Sequence, residues 1–241
     1  MNCLRRLEVF SLSPGGFKIA TNKVVAALGR RPNVDNLGLE ELGVPLDKRG
    51  IPPFDPCSMR IADLPVFIAG DASNRAPFMH EAADEGYVAG VNAFALHVTR
   101  YARRVPLAIV FSDPEIAMVG ERFSNLIQDR TAIGEVDFGT QGRAIAAGTA
   151  NGVLRVYGDK NTGRLLGAEM CAPDGEHLAH LLALAIERKL TAQELLKMPY
   201  YHPVIEEGLR TALRDLVKQL SSKAAPDLAA CEGFENSALG L

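Results

Sequence analysis

The sequence predicts an α+β fold in two parts. From about residue 105 onward, short apolar runs with strand character recur between Gly, Asn and Asp turns, and two helical stretches follow them. Strand runs followed by helix runs are typical of an α+β domain. Ahead of them, a short apolar run leads into a long helical stretch, which is the order found in an α/β segment. We therefore expect a domain boundary near residue 104.

The first part, residues 23–104, contains a predicted strand, a short apolar run and a long helix. KVVAALGRRPN (23–33) predicts a buried strand that ends in a glycine turn and a proline. LPVFIAGDAS (64–73) is a short apolar run that ends in Gly and Asp. Residues 76–100 place apolar side chains at helical intervals and predict a long helix. Residues 1–22 have weak periodicity and stay unassigned.

The second part, residues 105–220, contains the strand-like runs and two helices, and residues 221–241 are expected to be a flexible tail. The predicted strands are AIVF (108–111), IAMVG (116–120), AIAAGT (144–149), GVLRVYG (152–158) and LLGAEMC (165–171). The predicted helices are GEHLAHLLALAIERK (175–189) and EEGLRTALRDLVKQL (206–220).

Composition excludes several classes of function. Apolar residues make up 47% of the chain, enough for a substantial core, and 26 basic against 29 acidic residues give a net charge of -3. Without a long basic run we expect no nucleic-acid partner, and the apolar runs are too short to cross a membrane. The N-terminus lacks the pattern of a secretory signal, so we expect a cytoplasmic protein. The scattered cysteines, Cys3, Cys57, Cys171 and Cys231, predict neither a zinc site nor a local disulfide.

Asp71 follows the apolar run VFIAG, and Gly70 before it permits close approach of the backbone. In an open α/β sheet, ligands collect at the carboxyl ends of strands, where a carboxylate can accept hydrogen bonds from sugar or polyol hydroxyls. An Asp after a strand is more often the N-cap of the next helix. The residues themselves leave both interpretations open.

The stretch PYYHPVIEEGL (199–209) also has two interpretations. Pro203 disfavours the helical region for His202 and suits the first turn of a helix. Glu206 and Glu207 then fall in that turn, where carboxylates interact favourably with the helix dipole. This explains the pattern as a helix start, whereas a titratable imidazole close to a carboxylate is also the composition of a proton-transfer pair.

His177 and His180 stand three positions apart beside Glu176, a spacing at which two imidazoles can ligate a metal. A helix surface or a dimer contact explains the same spacing. We therefore predict no metal site here.

Five motifs, AALGRRPN, VFIAGDAS, HEAADEG, FSDPEIAMVG and YYHPVIEEGL, occur in this order between residues 23 and 220. In this order they resemble the C-terminal half of the flavoprotein pyridine nucleotide-disulfide oxidoreductases, most closely the dihydrolipoamide dehydrogenase branch. The resemblance implies FAD and NAD(P) as cofactors, a dithiol or disulfide substrate and a homodimer. It also implies that an antiparallel sheet flanked by helices forms the interface domain, and that the segment before it is a partial FAD-binding α/β segment.

The resemblance assigns roles to single residues. Asp71 would bind the ribityl chain of FAD, and the backbone around Phe78, Met79 and His80 would run beside the flavin ring. The remaining cofactor-side residues are Gly29 and Arg30, near the adenosine, and Gly70.

The same resemblance makes His202 the acid/base that exchanges a proton with a dithiol, while Glu207 holds the far nitrogen of the imidazole. The pair would act across a two-fold interface on the partner subunit. Tyr-Tyr before His202 and Val-Ile-Glu inside the motif depart from the commonest form of this pattern, which bears on the identity of the substrate.

The parts that normally open this family are not found in the sequence: the G-x-G-x-x-G fingerprint, the redox C-x4-C and a second nucleotide-binding domain. We therefore expect a C-terminal piece that is inactive as a disulfide reductase by itself and whose ability to retain FAD is an open question. Two alternatives stand beside it: a non-enzymatic dimerisation module, and a flavoprotein of the superfamily without disulfide chemistry, such as an NADH oxidase, against which the His202 motif speaks.

Overall fold

The computed structural model describes residues 29–220, residue 25 and the backbone of two short strands, Val9–Ser11 (β1) and Lys18–Ala20 (β2). The rest of the predicted N-terminal segment, most of the strand predicted over 23–33 and the tail with Cys231 lie outside the described residues. The chain divides between Tyr101 and Ala102 into two compact units.

The described residues of the first unit form mainly loops, one two-stranded ribbon and one α-helix. β1 and β2 pair antiparallel, with Phe10 opposite Ile19. A small core of buried aliphatic side chains lies under the loops and comprises Val34, Ile51, Ile61 and Ile68. The run predicted over 64–73 contributes an isolated bridge between Phe67 and Arg60, followed by a 3-10 turn at Gly70–Ser73, instead of a regular strand.

The long helix, α1, spans Met79–Ala93 and is shorter than the predicted 76–100. Its end is set by the buried side chain of Asn92, whose Nδ2 donates to Ser58 O at 3.0 Å and to Thr99 O at 2.9 Å. Thr99 N in turn donates to Asn92 Oδ1 at 2.8 Å. Because these bonds fold residue 99 back against the helix end, the apolar side chains beyond residue 93 do not continue the helix.

The second unit is built on a five-stranded antiparallel sheet in the order β3–β4–β7–β6–β5. Its strands are Leu107–Val110 (β3), Glu115–Gly120 (β4), Thr131–Asp137 (β5), Val153–Asp159 (β6) and Leu165–Ala172 (β7). As far as residue 220, four α-helices follow or interrupt these strands: Gly142–Ala147 (α2), Gly175–Glu187 (α3), Ala192–Leu196 (α4) and Glu206–Val217 (α5). The α+β class and the antiparallel sheet flanked by helices are confirmed.

Two helices cover one face of the sheet. α3 packs on β4 and β7, and α5 packs on β5 and β6. Between them and the sheet lies the main core, which includes the fully buried Leu154, Leu178, Leu209 and Leu213. Burial of these side chains is the main source of stability, at roughly 1.5–3 kcal/mol for each fully buried leucine.

The prediction of a strand at AIAAGT was wrong, because these residues belong to α2 and its C-terminal cap. Gln141 precedes the helix, and its Oε1 accepts a hydrogen bond from Ala144 N at 2.6 Å. Gly148 ends the helix with a φ of 74°, a conformation that glycine adopts without strain. The alanines have high helix propensity, and with both ends capped the short segment forms a helix instead of a strand.

The other face of the sheet exposes an apolar row. The strand register places Val110, Ile116, Cys171 and Val153 side by side across four strands. All four are exposed, with Val110 at 57% and Ile116 at 43% relative exposure.

Among the described residues, no helix has both the length and the hydropathy needed to cross a bilayer.

Candidate active site and flavin-side residues

His202 and Glu207 form a hydrogen-bonded pair. Nδ1 of His202 lies 3.1 Å from each carboxylate oxygen of Glu207. An ionised carboxylate only accepts hydrogen bonds, so Nδ1 carries the proton and donates it to Glu207. The other ring nitrogen, Nε2, is left for an external group, and the imidazole is 80% exposed. The pair therefore has the geometry of a solvent-facing acid/base whose tautomer is set by a carboxylate.

The local fold differs from the prediction at Pro203. The helix begins at Glu206 with Ile205 as its N-cap, so Pro203 lies ahead of α5 and not in its first turn. The peptide bond between His202 and Pro203 is cis. Ile205 is 6% exposed and anchors the turn in the core, which leaves His202 and Glu207 on the outer side.

Hydrogen bonding holds the pKa of the Glu207 carboxyl below its ordinary value of 4.5. The bond from His202 is the largest cause, while partial burial raises the pKa and the backbone N–H of Val204, 3.3 Å from Oε2, lowers it further. Glu207 is therefore charged throughout the neutral range and can accept the Nδ1–H of His202.

The loop that carries His202 is held by contacts on both sides. The Nε2 of Gln141 donates to Val204 O at 2.8 Å. On the other side, Tyr200 OH donates to Leu195 O at 3.2 Å, and the guanidinium of Arg210 lies 5.6 Å from the Tyr200 ring centroid. The sequence analysis missed Gln141 as a partner of this loop, because a contact 63 positions away leaves no local pattern.

In the first unit, the structure brings Arg30 and Asp71 together. Nη1 of Arg30 lies 2.8 Å from Oδ2 of Asp71, and Nη2 donates to Pro77 O at 2.5 Å. Gly70 adopts a φ of 65°, and a Cβ there would lie 3.2 Å from Ala82 Cβ. Gly29 is exposed with a φ of 132°. Arg30 thus links the Gly70–Ser73 turn to the entry of α1.

The start of α1 presents Phe78, Met79 and His80. Phe78 is the N-cap and makes no side-chain capping hydrogen bond. The rings of Phe78 and His80 stack with centroids 5.8 Å apart, and Met79 is 90% exposed. An N-terminus of this kind offers backbone N–H groups and a positive dipole end to an anionic group.

A buried carboxylate below this turn was missed by the sequence analysis. Glu85 is 2% exposed, and its Oε2 accepts hydrogen bonds from Gly70 N at 2.8 Å and Ser73 Oγ at 3.1 Å. It holds the turn that carries Asp71. The sequence did contain a signal for its burial, because Glu85 lies on the helix side that is lined by small residues such as Ala82 and Ala89.

The histidines of α3 do not converge on a common point. His177 Nε2 lies 3.7 Å from Oε1 of Glu176, whereas His180 Nδ1 lies 2.6 Å from the backbone oxygen of Glu176. Within the described part of the chain, no three His, Cys, Asp or Glu side chains group as metal ligands do.

Residues 106–213 match the family model described as the pyridine nucleotide-disulphide oxidoreductase dimerisation domain. This match and those to curated relatives confirm the resemblance to the pyridine nucleotide-disulphide oxidoreductases that the motifs predicted.

The matching relatives include the dihydrolipoyl dehydrogenase of Thermus scotoductus, 33% identical over 204 residues that cover 84% of this chain and 44% of the relative. The mitochondrial dihydrolipoyl dehydrogenase of Bos taurus is 30% identical over 199 residues, covering 80% of this chain and 38% of the relative. The chain thus spans less than half the length of these curated relatives.

Two solved structures are similar in fold. LpdA from Mycobacterium tuberculosis has a TM-score of 0.69 at 26% identity, covering 83% of this chain and 44% of that one. A copper complex of the HOCl-induced flavoprotein disulfide reductase RclA from Escherichia coli has the same TM-score at 20% identity, covering 86% and 47%, and this likeness concerns the fold alone.

Proposed function

We propose that this chain works as the C-terminal part of an FAD-dependent dithiol–disulfide oxidoreductase that passes electrons between a dithiol, FAD and NAD(P). Its chemical contribution is the His202–Glu207 acid/base pair. The observation that carries the proposal is the contact of His202 Nδ1 with both oxygens of Glu207 at 3.1 Å. The similarity to dihydrolipoyl dehydrogenases supports the reaction class.

The pair moves a proton in a defined direction. A substrate thiol transfers its proton to Nε2 of His202, and the thiolate that remains is the nucleophile of disulfide exchange. The imidazolium formed is stabilised by the charge of Glu207, which accepts the Nδ1–H. In the reverse direction the same imidazolium returns the proton to a thiolate. Because His202 is 80% exposed, it is accessible to a substrate or to a partner subunit.

The first unit would supply one side of a flavin site in a longer protein. Asp71 offers a half-exposed carboxylate to ribityl hydroxyls, and Arg30 beside it offers a cation. Gly29 and Gly70 permit close backbone approach, and the open N-terminus of α1 at Phe78 suits an anionic ring edge. These residues suit FAD, which would supply the electron transfer when bound in the longer protein.

A homodimer is part of the proposal. The family model that matches residues 106–213 is named for dimerisation. The exposed apolar row on the sheet, at Val110, Ile116, Cys171 and Val153, offers a surface that a two-fold copy would bury. In such a dimer, His202 and Glu207 would act on the active site of the partner subunit.

The second candidate is a dimerisation module without enzymatic activity. It is favoured by the match of residues 106–213 to a family model named for dimerisation. The visible absorption spectrum of the purified chain separates the candidates in part, since bound flavin would show that the first unit is sufficient to hold the cofactor.

The decisive experiment joins this chain to the N-terminal half of a dihydrolipoyl dehydrogenase and measures dithiol oxidation. His202→Ala removes the proton acceptor and is expected to slow turnover by roughly 100- to 10,000-fold. Glu207→Gln keeps the shape and loses the charge, so a smaller loss is expected. His177→Ala is the matched control, because His177 is also an exposed histidine beside a glutamate. Turnover of His202→Ala equal to that of the control, at full flavin content, would end the catalytic assignment.

A further inference from the structure

We infer that Gln141 is the positioning residue of the His202–Glu207 pair, a role that rests on the function proposed above. Gln141 is 9% exposed, and its side chain contacts the loop that carries His202 although it lies 63 positions before Val204 in the sequence. Its Nε2 donates to Val204 O at 2.8 Å, and its Oε1 accepts from Ala144 N at 2.6 Å. One side chain therefore ties the loop after His202 to the N-terminus of α2.

Val204 connects this contact to the pair. Its carbonyl oxygen accepts from Gln141, and its backbone N–H donates to Oε2 of Glu207 at 3.3 Å. The same carboxylate oxygen lies 3.1 Å from Nδ1 of His202. A displacement of Val204 therefore alters both the position of the peptide that follows His202 and the hydrogen bonding of Glu207.

A second contact comes from the same segment. Phe138 lies three residues before Gln141, is fully buried, and its carbonyl accepts from Gln141 N at 3.1 Å. A Cβ on Gly208 would lie 2.6 Å from Cε1 of Phe138, so Phe138 packs directly against the residue after Glu207. Residues 138–141 thus support the loop at Val204 and the helix at Gly208 together. These two contacts hold the exposed imidazole of His202 and the carboxylate of Glu207 at hydrogen-bonding distance.

The test is the pH titration of the Glu207 carboxyl by carbon NMR in the 241-residue chain. Gln141→Met keeps the volume but removes both hydrogen bonds, and the pKa of Glu207 is expected to rise toward the ordinary glutamate range as contact with His202 weakens. Gln219→Met is the matched control, since Gln219 also bridges two backbone groups, Ile133 N and Ile133 O, far from the His202 loop. This variant should leave the pKa of Glu207 unchanged.

Two results overturn the inference: an unchanged pKa of Glu207 in Gln141→Met, or an equal rise in Gln219→Met, which indicates general loosening. Neither result bears on the proposed function, because the pKa of Glu207 reports the geometry of the His202–Glu207 pair and not the rate of turnover. Conversely, a rise confined to Gln141→Met supports the inference even if His202 proves to have no catalytic effect.

Gln141→Glu keeps the experiment decisive if Gln141→Met does not fold. A glutamate retains the oxygen that caps Ala144 N but cannot donate to Val204 O when ionised. Loss of the hydrogen bond to Val204 O should let the loop open more easily by about the free energy of one hydrogen bond. We therefore expect hydrogen exchange at the Val204 amide to become about fivefold faster. Exchange no faster than in Gln219→Glu would overturn the positioning role.

Discussion

The charge state of Glu207 is decided by its few hydrogen-bond donors. His202 and Val204 both donate to its carboxylate, and these bonds lower its pKa against the opposing effect of partial burial. A single exposed carboxylate contributes little to stability through ion pairing alone. The main effect of Glu207 is to hold one tautomer of His202. The hydrogen bonds from His202 and Val204 therefore determine both a small contribution to stability and the proposed chemistry.

The lowered pKa of Glu207 predicts a pH-dependent stability contribution. Because the folded pKa lies below the ordinary 4.5, the contribution is fully present above that value and is lost as the pH falls through the folded pKa. Glu207→Gln is therefore expected to lower the free energy of unfolding at pH 7 by about 1 kcal/mol or less, and the difference from wild type should shrink below pH 4.5. Urea unfolding followed by circular dichroism at several pH values measures this.

Glu206→Gln controls for the helix dipole, since Glu206 lies in the same first turn of α5. An identical pH dependence of the two variants would show that the contact with His202 adds nothing.

At the scale of elements, the contact between α5 and β5 determines the position of the His202–Glu207 pair, because Glu207 lies in the first turn of α5. Gly134 lies under the helix, and a Cβ built on it would overlap Ala212 O and lie 2.7 Å from Leu216 Cβ. Since these atoms belong to the helix backbone or adjoin it, no side-chain rotation relieves the clash. The close approach explains why a glycine occupies the middle of a strand.

Gly134→Ala is expected to destabilise the second unit by about 3 kcal/mol or more, because α5 must move away from the sheet. Gly142→Ala is the control: a Cβ there meets nothing within 4 Å, and alanine favours α2, so its effect should stay within about 1 kcal/mol. Thermal unfolding of both variants gives the comparison. A similar melting temperature for both would contradict the packing described here.

Element by element, the sequence predicted what has a strong local pattern. The four strands with dense apolar runs and the helices at 175–189 and 206–220 were found, with ends a few residues off. β5 was missed because TAIGEVD has a glycine at its centre, and that glycine is explained only by α5 above it. α4 was missed although Thr191 and Glu194 form a capping box, a signal that was present in the sequence.

The site was predictable to the extent that its residues are neighbours in sequence. His202 and Glu207 stand five positions apart, and their motif identified both. Arg30 and Asp71 were each identified as candidates, but their ion pair spans 41 positions (71 minus 30) and could not be predicted. Glu85 and Gln141 are buried polar residues whose partners lie far away in sequence, so only the folded chain reveals them.

At the scale of the whole molecule, the uncovered face of the sheet predicts self-association. Its apolar row crosses four strands at one register and includes Ile116, with 43% relative exposure. A stable interface buries about 800 Å² on each partner, and an exposed apolar row is the kind of surface that a second copy would cover. We expect the chain to sediment as a dimer at micromolar concentration.

Ile116→Lys places a charge in the middle of this row and should shift the chain to monomer, because burying an unpaired ammonium against an apolar surface is costly. Ile127→Lys is the matched control, since Ile127 is 64% exposed and lies outside the strands that carry the row. Sedimentation velocity at several concentrations distinguishes the two, and circular dichroism shows that both variants stay folded. A monomeric wild type would refute the dimer for this chain, and a dimer that persists in Ile116→Lys would move the interface away from the sheet face.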